Sequence, residues 1–437
     1  MKDLSVGDPK SVLIKFALPL LGSMVFQQLY NIADSFVAGK FINGNALAAV
    51  SNGYEVTLIY LSFAFGCNMG CSVIVGQLYG AKDYTKVKTC INTAFISTAV
   101  LCLTLMGLGF LFTPALLRAI ATPNEVFADS VLYLNIYTAG LIFLFLYNIS
   151  NAIFSALGDS KTPFIFLAVS SVVNIFMDIW FVRSFRMGIA GIAWATFLCQ
   201  GVSGILSVIT VFIRIRRLEC PDPPKIFSGK LLGKMIYIAI PSTMQQAFVS
   251  VGNIVIQSLI NGFGTFVMSG YGAAVKINNF AVSVFGTLGN AVSCYTSQNI
   301  GAGQMDRVRR GFSVGLRMAL LIAVTFSLTY ILGRHRLIRL FTEDNKSGTD
   351  FLMIISPFFV FVAAKLTSDA VLRGAGAMGW FMITTFTDLI LRVVLAFIFS
   401  KEWGYIGIWF AWPIGWIVSA SMSALFYWKG VWKKDNS

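Results

Sequence analysis

The sequence has little charge and almost no residues suited to metal or redox chemistry. Only 12% of its 437 residues are Asp, Glu, Lys or Arg, against about 25% in ordinary soluble domains. So small a charged fraction excludes a water-facing surface over this length. The chain has one histidine, and its seven cysteines show no spacing typical of a zinc site or a redox pair. We therefore predict no cofactor and no enzymatic site, since a nucleophile with a base, or a set of metal ligands, is missing.

Long apolar runs fill most of the chain instead. Hydrophobic residues make up 57% of it and the mean hydropathy is +0.76. Runs of about 18 or more apolar residues are long enough to cross a bilayer as helices, and lipid leaves backbone groups no partner outside such helices. We predict an all-α integral membrane protein with twelve transmembrane helices, at residues 13–37, 48–75, 90–112, 130–156, 164–184, 188–212, 235–259, 266–296, 312–333, 350–373, 380–399 and 405–428.

The net charge of +14 reflects topology rather than a nucleic-acid partner. With the N-terminus inside, the predicted inner segments hold 21 lysines and arginines and the outer segments hold nine. Basic residues are enriched on the cytoplasmic side of membrane proteins. We expect a multi-pass protein of the cell membrane with both termini cytoplasmic, in contact with lipid and with no nucleic acid.

The two halves of the chain resemble each other. Pro19 matches Pro241, QLYGAKDYTKVK at 77–88 matches QNIGAGQMDRVR at 298–309, Gly158 matches Gly376, and GIAGIAWA at 188–195 matches GYIGIWFA at 404–411. Six spans per half give both halves the same orientation, so we predict two six-helix lobes related by a pseudo-two-fold axis along the membrane normal. The predicted lobes are residues 1–213 and 235–437, joined by a cytoplasmic linker at 214–234. The matching prolines predict kinks, either static or acting as hinges.

Polar residues at helical spacing mark four spans of the first half. Residues i, i+4 and i+7 share one helix face, and ionisable groups inside a membrane are costly enough to suggest function. The stripes predict a polar cavity in which Asp34, Asp178 and Thr196 lie at one level, while Asn151 fits only if its helix is bent. The stripes are Gln27, Asn31 and Asp34; Asn148, Asn151 and Ser155; Asn174 and Asp178; and Thr196 and Gln200.

The repeat provides an internal control for this cavity. The second half lacks the acidic pair, which indicates a dedicated cation site rather than polar groups that only join helices. Four further ionisable residues could either form internal ion pairs or contact the substrate, and the sequence does not decide between these roles: Glu55, Asp369, Lys276 and Arg392. In the repeat alignment Asp34 falls on Ile256, Asn151 on Asp369, Asn174 on Arg392, Asp178 on Ala396 and Thr196 on Trp412.

These motifs resemble the multidrug and toxic-compound extrusion (MATE) family, from about residue 10 to residue 430. The resemblance rests on Pro19 with YNIADSFVAGK, the QLYGAKD loop with its QNIGAG copy, the SALGDSKTPF turn and the two-lobed plan. The resemblance implies two lobes arranged as a V and alternating access driven by Na⁺ or H⁺. The pattern of acidic residues is closer to that of the DinF-like branch of the family, although Asp369 in the second half does not fit that branch. The resemblance also implies a cation site with Tyr30 close by, and if sodium is the coupling ion, Asp34 and Asp178 bind the metal. The residues of this site are Asp34, Asn151, Asn174, Asp178 and Thr196.

The predicted function is therefore secondary active export of small organic cations in exchange for Na⁺ or H⁺, by a monomer. Gln27, Asn31, Tyr30, Glu55 and Asp369 are the predicted cavity residues. The alternative from the same superfamily is a flippase for lipid-linked precursors, which would favour cationic groups lining the first half. A membrane-embedded enzyme and a passive channel are disfavoured by the missing catalytic groups and by the repeat, respectively.

Overall fold

The computed structural model describes residues 3–42, 44–120, 122–342 and 345–433, and all regular structure within them is helical. A π-helical turn, Ala38–Ile42, follows the first helix. The helices of the first half are α1 (Pro9–Val37), α2 (Gly44–Gly80), α3 (Tyr84–Ala119), α4 (Asn124–Ala139), α5 (Leu141–Ala156), α6 (Lys161–Arg183) and α7 (Ile189–Arg216).

The second half follows the same order. Its helices are α8 (Gly229–Asn261), α9 (Thr265–Gly301), α10 (Met305–Arg339), α11 (Lys346–Ile355), α12 (Phe359–Gly374) and α13 (Met378–Trp428). Short 3₁₀ turns, Ser356–Phe358 and Val431–Lys433, join α11 to α12 and follow α13. The pair α4 and α5 forms the fourth predicted span, α11 and α12 form the tenth, and α13 contains the last two. The twelve predicted helical spans are thus confirmed. Two of them, 164–184 and 188–212, extend beyond their helices, each by one residue at one end.

Length and apolar character agree with membrane insertion. Among the described residues, eight helices are long and apolar enough to cross a membrane, or nine when α4 and α5 are taken as one span bent by 47°. The helices α8 and α9 fall outside that set, because polar residues interrupt them more often. The chain is a multi-pass membrane protein.

The internal repeat is visible in the backbone at the turns after α5 and α12. Gly158 and Gly376 both take positive φ, at 72° and 80°. In each turn the residue after the glycine donates its N–H to the carbonyl five positions earlier, at 2.8 Å. This is the Schellman ending of a helix, in which the left-handed position favours glycine because a Cβ is strained there. The glycines matched by sequence therefore perform the same task in both halves.

Two further pairs of positions repeat this agreement. Lys82 and Gly303 are 221 residues apart, and both have positive φ, at 57° and 71°. Gly188 and Gly404 are 216 residues apart, with φ of 57° and 59°. Gly188 precedes α7, whereas Gly404 is the non-helical point inside α13. Gly404 therefore separates the last two spans at the position where the first half has a turn.

Contacts divide the chain into two compact units. Unit 1 comprises Met1–Asp3 and Leu18–Thr243, and unit 2 comprises Leu4–Ala17 and Met244–Ser437. The helices α1 and α8 thus contribute residues to both units. In each helix the boundary between the two units lies close to its proline, Pro19 or Pro241. Both helices continue through the proline.

Within unit 1, glycines let α2 approach the first part of α8 closely. A Cβ on Gly70 would lie 2.5 Å from the carbonyl oxygen of Met235, and one on Gly66 would lie 2.7 Å from that of Ala239. Small residues four positions apart allow helix backbones to meet in this way in membranes. The linker before α8 is held to α3, where Lys225 N–H donates to the Thr89 hydroxyl at 3.0 Å.

Candidate functional site

Two carboxyl groups and one amide form a buried cluster in unit 1. Asp34 lies near the end of α1, and Asn174 and Asp178 lie one turn apart on the same face of α6. With the Asn174 amide nitrogen facing the acids, it donates to Asp34 Oδ1 and to Asp178 Oδ2, both at 3.2 Å. The amide oxygen then accepts from the backbone N–H of Thr196 on α7, also at 3.2 Å. Asn174 is therefore the link that joins three helices at this point.

Hydroxyl groups complete the cluster on the α1 side. The Tyr30 hydroxyl and Thr196 Oγ1 are 3.0 Å apart and share a hydrogen bond. Tyr30 also lies one turn before Asp34 on α1, close enough to interact electrostatically with its carboxyl group. Tyr30 thus joins α1 to α7 independently of Asn174. The structure brings together Tyr30, Asp34, Asn174, Asp178 and Thr196, five of the residues that the sequence predicts for the cavity or cation site.

Burial makes the acidic pair chemically unusual. Asp34 is 6% exposed and Asp178 is 0% exposed, and an oxygen of each carboxyl group lies 3.2 Å from the same Asn174 amide nitrogen. Two carboxylates this close and this dry repel strongly, so the pair favours holding a proton or a metal cation. Asp178 Oδ1 has no hydrogen-bond partner within the described residues. Oxygen ligands of this kind suit hard cations, so the residues present fit either coupling ion.

One neighbour of this cluster was missed by the sequence reasoning. Tyr133 of α4 is buried and close enough to interact electrostatically with both Asp34 and Asp178. Its signal in the sequence is weak, because a tyrosine near the end of a membrane span is ordinarily an interfacial anchor. The bend between α4 and α5 separates this part of the span from the part that carries Asn151.

Four predicted site residues of the first half are not part of the hydrogen-bonded cluster or have side chains outside the described part of the structure. Asn151 is on α5, and its Oδ1 is buried without a hydrogen-bond partner in the described residues, so no hydrogen bond joins that oxygen to the acids. Gln27 is exposed and Asn31 is half-buried on α1. The side chain of Glu55 lies outside the described part of the structure.

Asp369 belongs to a separate cluster in unit 2. Its Oδ2 accepts from Lys365 Nζ at 2.9 Å, and its Oδ1 accepts from Thr384 Oγ1 at 3.1 Å and from Ser423 Oγ at 2.7 Å. All of these side chains are buried. The i, i+4 spacing of Lys365 and Asp369 is a sequence signal for this pair. Of the two interpretations left open for Asp369, the internal ion pair is the one that the structure contains.

Twelve helical spans, a repeat of the whole plan and buried ionisable groups define a membrane protein of the kind typical of secondary transporters. Residues 19–180 and 241–398 match the family model MatE. The chain belongs to the MatE family, as its resemblance to MATE transporters predicted.

Similar proteins agree with this assignment over the whole chain. A probable multidrug resistance protein of Bacillus subtilis, YpnP, is 30% identical over 437 residues, covering 99% of this chain and 97% of the relative. A second, YoeA of the same organism, is 28% identical, covering 96% and 94%. A solved multidrug resistance MATE family transporter of the MOP superfamily, in an outward-facing conformation, has the same fold with a TM-score of 0.91 at 21% identity, covering 100% and 99%.

Proposed function

We propose that this protein is a secondary active multidrug exporter that exchanges Na⁺ or H⁺ for amphipathic organic cations by alternating access. The observation that carries the proposal is the buried pair of Asp34 and Asp178, joined by Asn174 and flanked by Tyr30 and Thr196. Family membership and the names of the full-length relatives support export of drugs. We further propose that the protein acts as a monomer in the cell membrane with both termini in the cytoplasm.

Coupling follows from the charge state of the acidic pair. A proton or Na⁺ on Asp34 and Asp178 removes the repulsion between them, and the empty pair favours a different arrangement of α1, α6 and α7. If the substrate binds preferentially to the arrangement that the ion disfavours, ion and substrate lower each other's affinity by the same factor. An inward ion gradient then drives export of the substrate.

The expected substrate charge also follows from this site. The described residues of the unit 1 cluster include two carboxyl groups and no basic side chain. A cavity lined by one sign of charge concentrates ligands of the opposite sign. We propose that amphipathic cations are exported better than anions of similar size, whereas better export of anions would favour a flippase for lipid-linked precursors.

The test is transport by purified protein in proteoliposomes. A fluorescent organic cation is followed while a Na⁺ gradient or a pH gradient is imposed separately. Export driven by one gradient and abolished by its collapse supports the proposal and identifies the coupling ion. Movement of the cation that is independent of both gradients would contradict it and indicate a passive channel.

A further inference from the structure

Another buried cation of unit 2, Arg392 on α13, forms no salt bridge with the described residues. Its side chain is 4% exposed, and no carboxylate among the described residues lies within salt-bridge distance, 4.0 Å, of its guanidinium. Its Nε is buried and lacks a hydrogen-bond partner in the same part of the chain. An arginine buried in a membrane span without compensation is costly, which makes it a candidate for binding.

Asp369 and Asp388, which share the neighbour Lys365 with Arg392, form no salt bridge with it. Asp369 is already satisfied by Lys365 and by two hydroxyl groups. Asp388 lies one turn before Arg392 on α13, yet its Oδ1 is buried without a partner in the described residues, and the two side chains form no salt bridge. Lys365 lies close enough to interact with Asp388 and with Arg392. Within the described residues, Asp388 Oδ1 is therefore an acceptor without a partner. The guanidinium of Arg392, one turn later on α13, is a planar donor without a salt bridge.

Trp412 leaves the donors of Arg392 free. The guanidinium lies over the Trp412 ring at 4.3 Å from its centroid, and this cation–π contact stabilises the charge through the flat face. A guanidinium carries five N–H donors, and a cation–π contact supplies no hydrogen-bond acceptor oxygen for them. Trp412 Nε1, on a side chain 3% exposed, is a second buried donor with no partner in the described residues.

The position of this pair in the repeat reinforces its meaning. Arg392 matches Asn174 and Trp412 matches Thr196 in the sequence repeat. In unit 1 Asn174 and Thr196 meet through a hydrogen bond, and in unit 2 Arg392 and Trp412 meet through a cation–π contact. The helices therefore converge alike in both units. Where unit 1 presents acids, unit 2 presents a positive charge and two N–H donors, Arg392 Nε and Trp412 Nε1, that have no hydrogen-bond partner among the described residues.

We propose that Arg392 and Trp412 bind an organic carboxylate inside unit 2. The proposal deepens the export function and rests on it, because it places zwitterionic amphiphiles, with a carboxylate beside the cationic group, among the preferred substrates. A carboxylate offers two oxygens to donors in one plane, and arginine recognises such a fork better than a point charge does.

Two matched probes test this site. A rhodamine methyl ester and its free carboxylic acid share the cationic ring system and differ in the carboxylate alone. Purified wild-type protein should bind the acid more tightly than the ester in a fluorescence polarisation titration. Arg392→Met should weaken binding of the acid about tenfold or more, as expected for a lost hydrogen bond to a charged group, and leave ester binding within about twofold.

Two milder variants keep the test informative if Arg392→Met folds poorly. Trp412→Phe retains the ring under the guanidinium and removes its N–H, so it should weaken acid binding by a few-fold with no change for the ester. Arg392→Lys retains the charge without the planar fork and should fall between wild type and Arg392→Met. Equal losses for both probes in these variants would overturn the proposal.

Asp388→Asn separates the ligand site from an internal ion pair. If Arg392 only balances Asp388, combining Asp388→Asn with Arg392→Met restores stability and binding of both probes, and that result would overturn the proposal. In the carboxylate site, the double variant still binds the acid weakly. Transport in proteoliposomes separates the two levels: Arg392-dependent binding of the acid without transport of either probe supports the site and contradicts the export function.

Discussion

Replacing Asn174 with alanine should weaken the coupling ion without abolishing transport. The amide donates to Asp34 and Asp178 and accepts from Thr196 N–H, all at 3.2 Å. A hydrogen bond to a charged group contributes about 1.5–3 kcal/mol net. The lengths here favour the lower figure, so the two carboxylate bonds together supply at most about 3 kcal/mol. If between half and all of this holds the acids in their ion-binding arrangement, the ion concentration for half-maximal transport rises by about tenfold to about a hundredfold.

The assay is initial export rate in proteoliposomes over a series of Na⁺ or H⁺ concentrations, with equal amounts of protein. Ile256→Ala and Ala396→Ser are the matched controls, because these residues occupy the repeat positions of Asp34 and Asp178 and should leave the rate almost unchanged. A half-maximal ion concentration within about twofold of wild type in Asn174→Ala would refute the reasoning, since a residue joining both acids cannot then be part of the ion site.

Three further predictions concern the fold. Gly70→Ala should lower the Tm clearly, because its Cβ would lie 2.5 Å from a carbonyl oxygen of α8, whereas Gly107→Ala, with nothing within 4 Å, should not; equal Tm values would contradict the close packing. Asp83→Ala should lower the free energy of unfolding by about 1 kcal/mol, measured in denaturant, because Asp83 caps α3 by accepting a backbone N–H at 3.1 Å; an unchanged value would show that the cap is dispensable. Reporters fused after Lys225 and after Leu340 should lie inside and outside the cell, respectively, and the same side for both would contradict the twelve-span topology.

The fold could be predicted from the sequence because lipid leaves few choices. Each apolar run had to become a helix, and the repeat fixed six spans in each half. One detail depended on local geometry that hydropathy does not report. The bend between α4 and α5 occurs at Gly140, a residue with helical φ and ψ that carries no signal of its own. The break at Gly404, by contrast, lies between the predicted spans 380–399 and 405–428, and its repeat partner Gly188 has a matching φ.

Part of the candidate site could be predicted from the sequence, because helical spacing determines which residues share a face. Asn174 and Asp178 share a helix face, and helical spacing alone determines this. Their meeting with Asp34 needed depth along two different helices, which the span boundaries supplied approximately. Tyr133 was missed, since its approach depends on how α4 packs and not on its spacing. Asn151 lies on the other side of the α4–α5 bend, and the sequence gives no measure of that angle.

Neutralising the acidic pair tests the central claim most directly. Asp34→Asn and Asp178→Asn each remove a charge and keep the shape of the side chain, and a neutral amide costs less than a carboxylate in the membrane. The measurement is gradient-driven efflux of an organic cation from cells containing equal amounts of each protein. We predict that both variants insert normally and lose gradient-driven efflux. Efflux at the wild-type rate with the wild-type ion dependence in both variants would contradict the account and assign the buried acids a structural role.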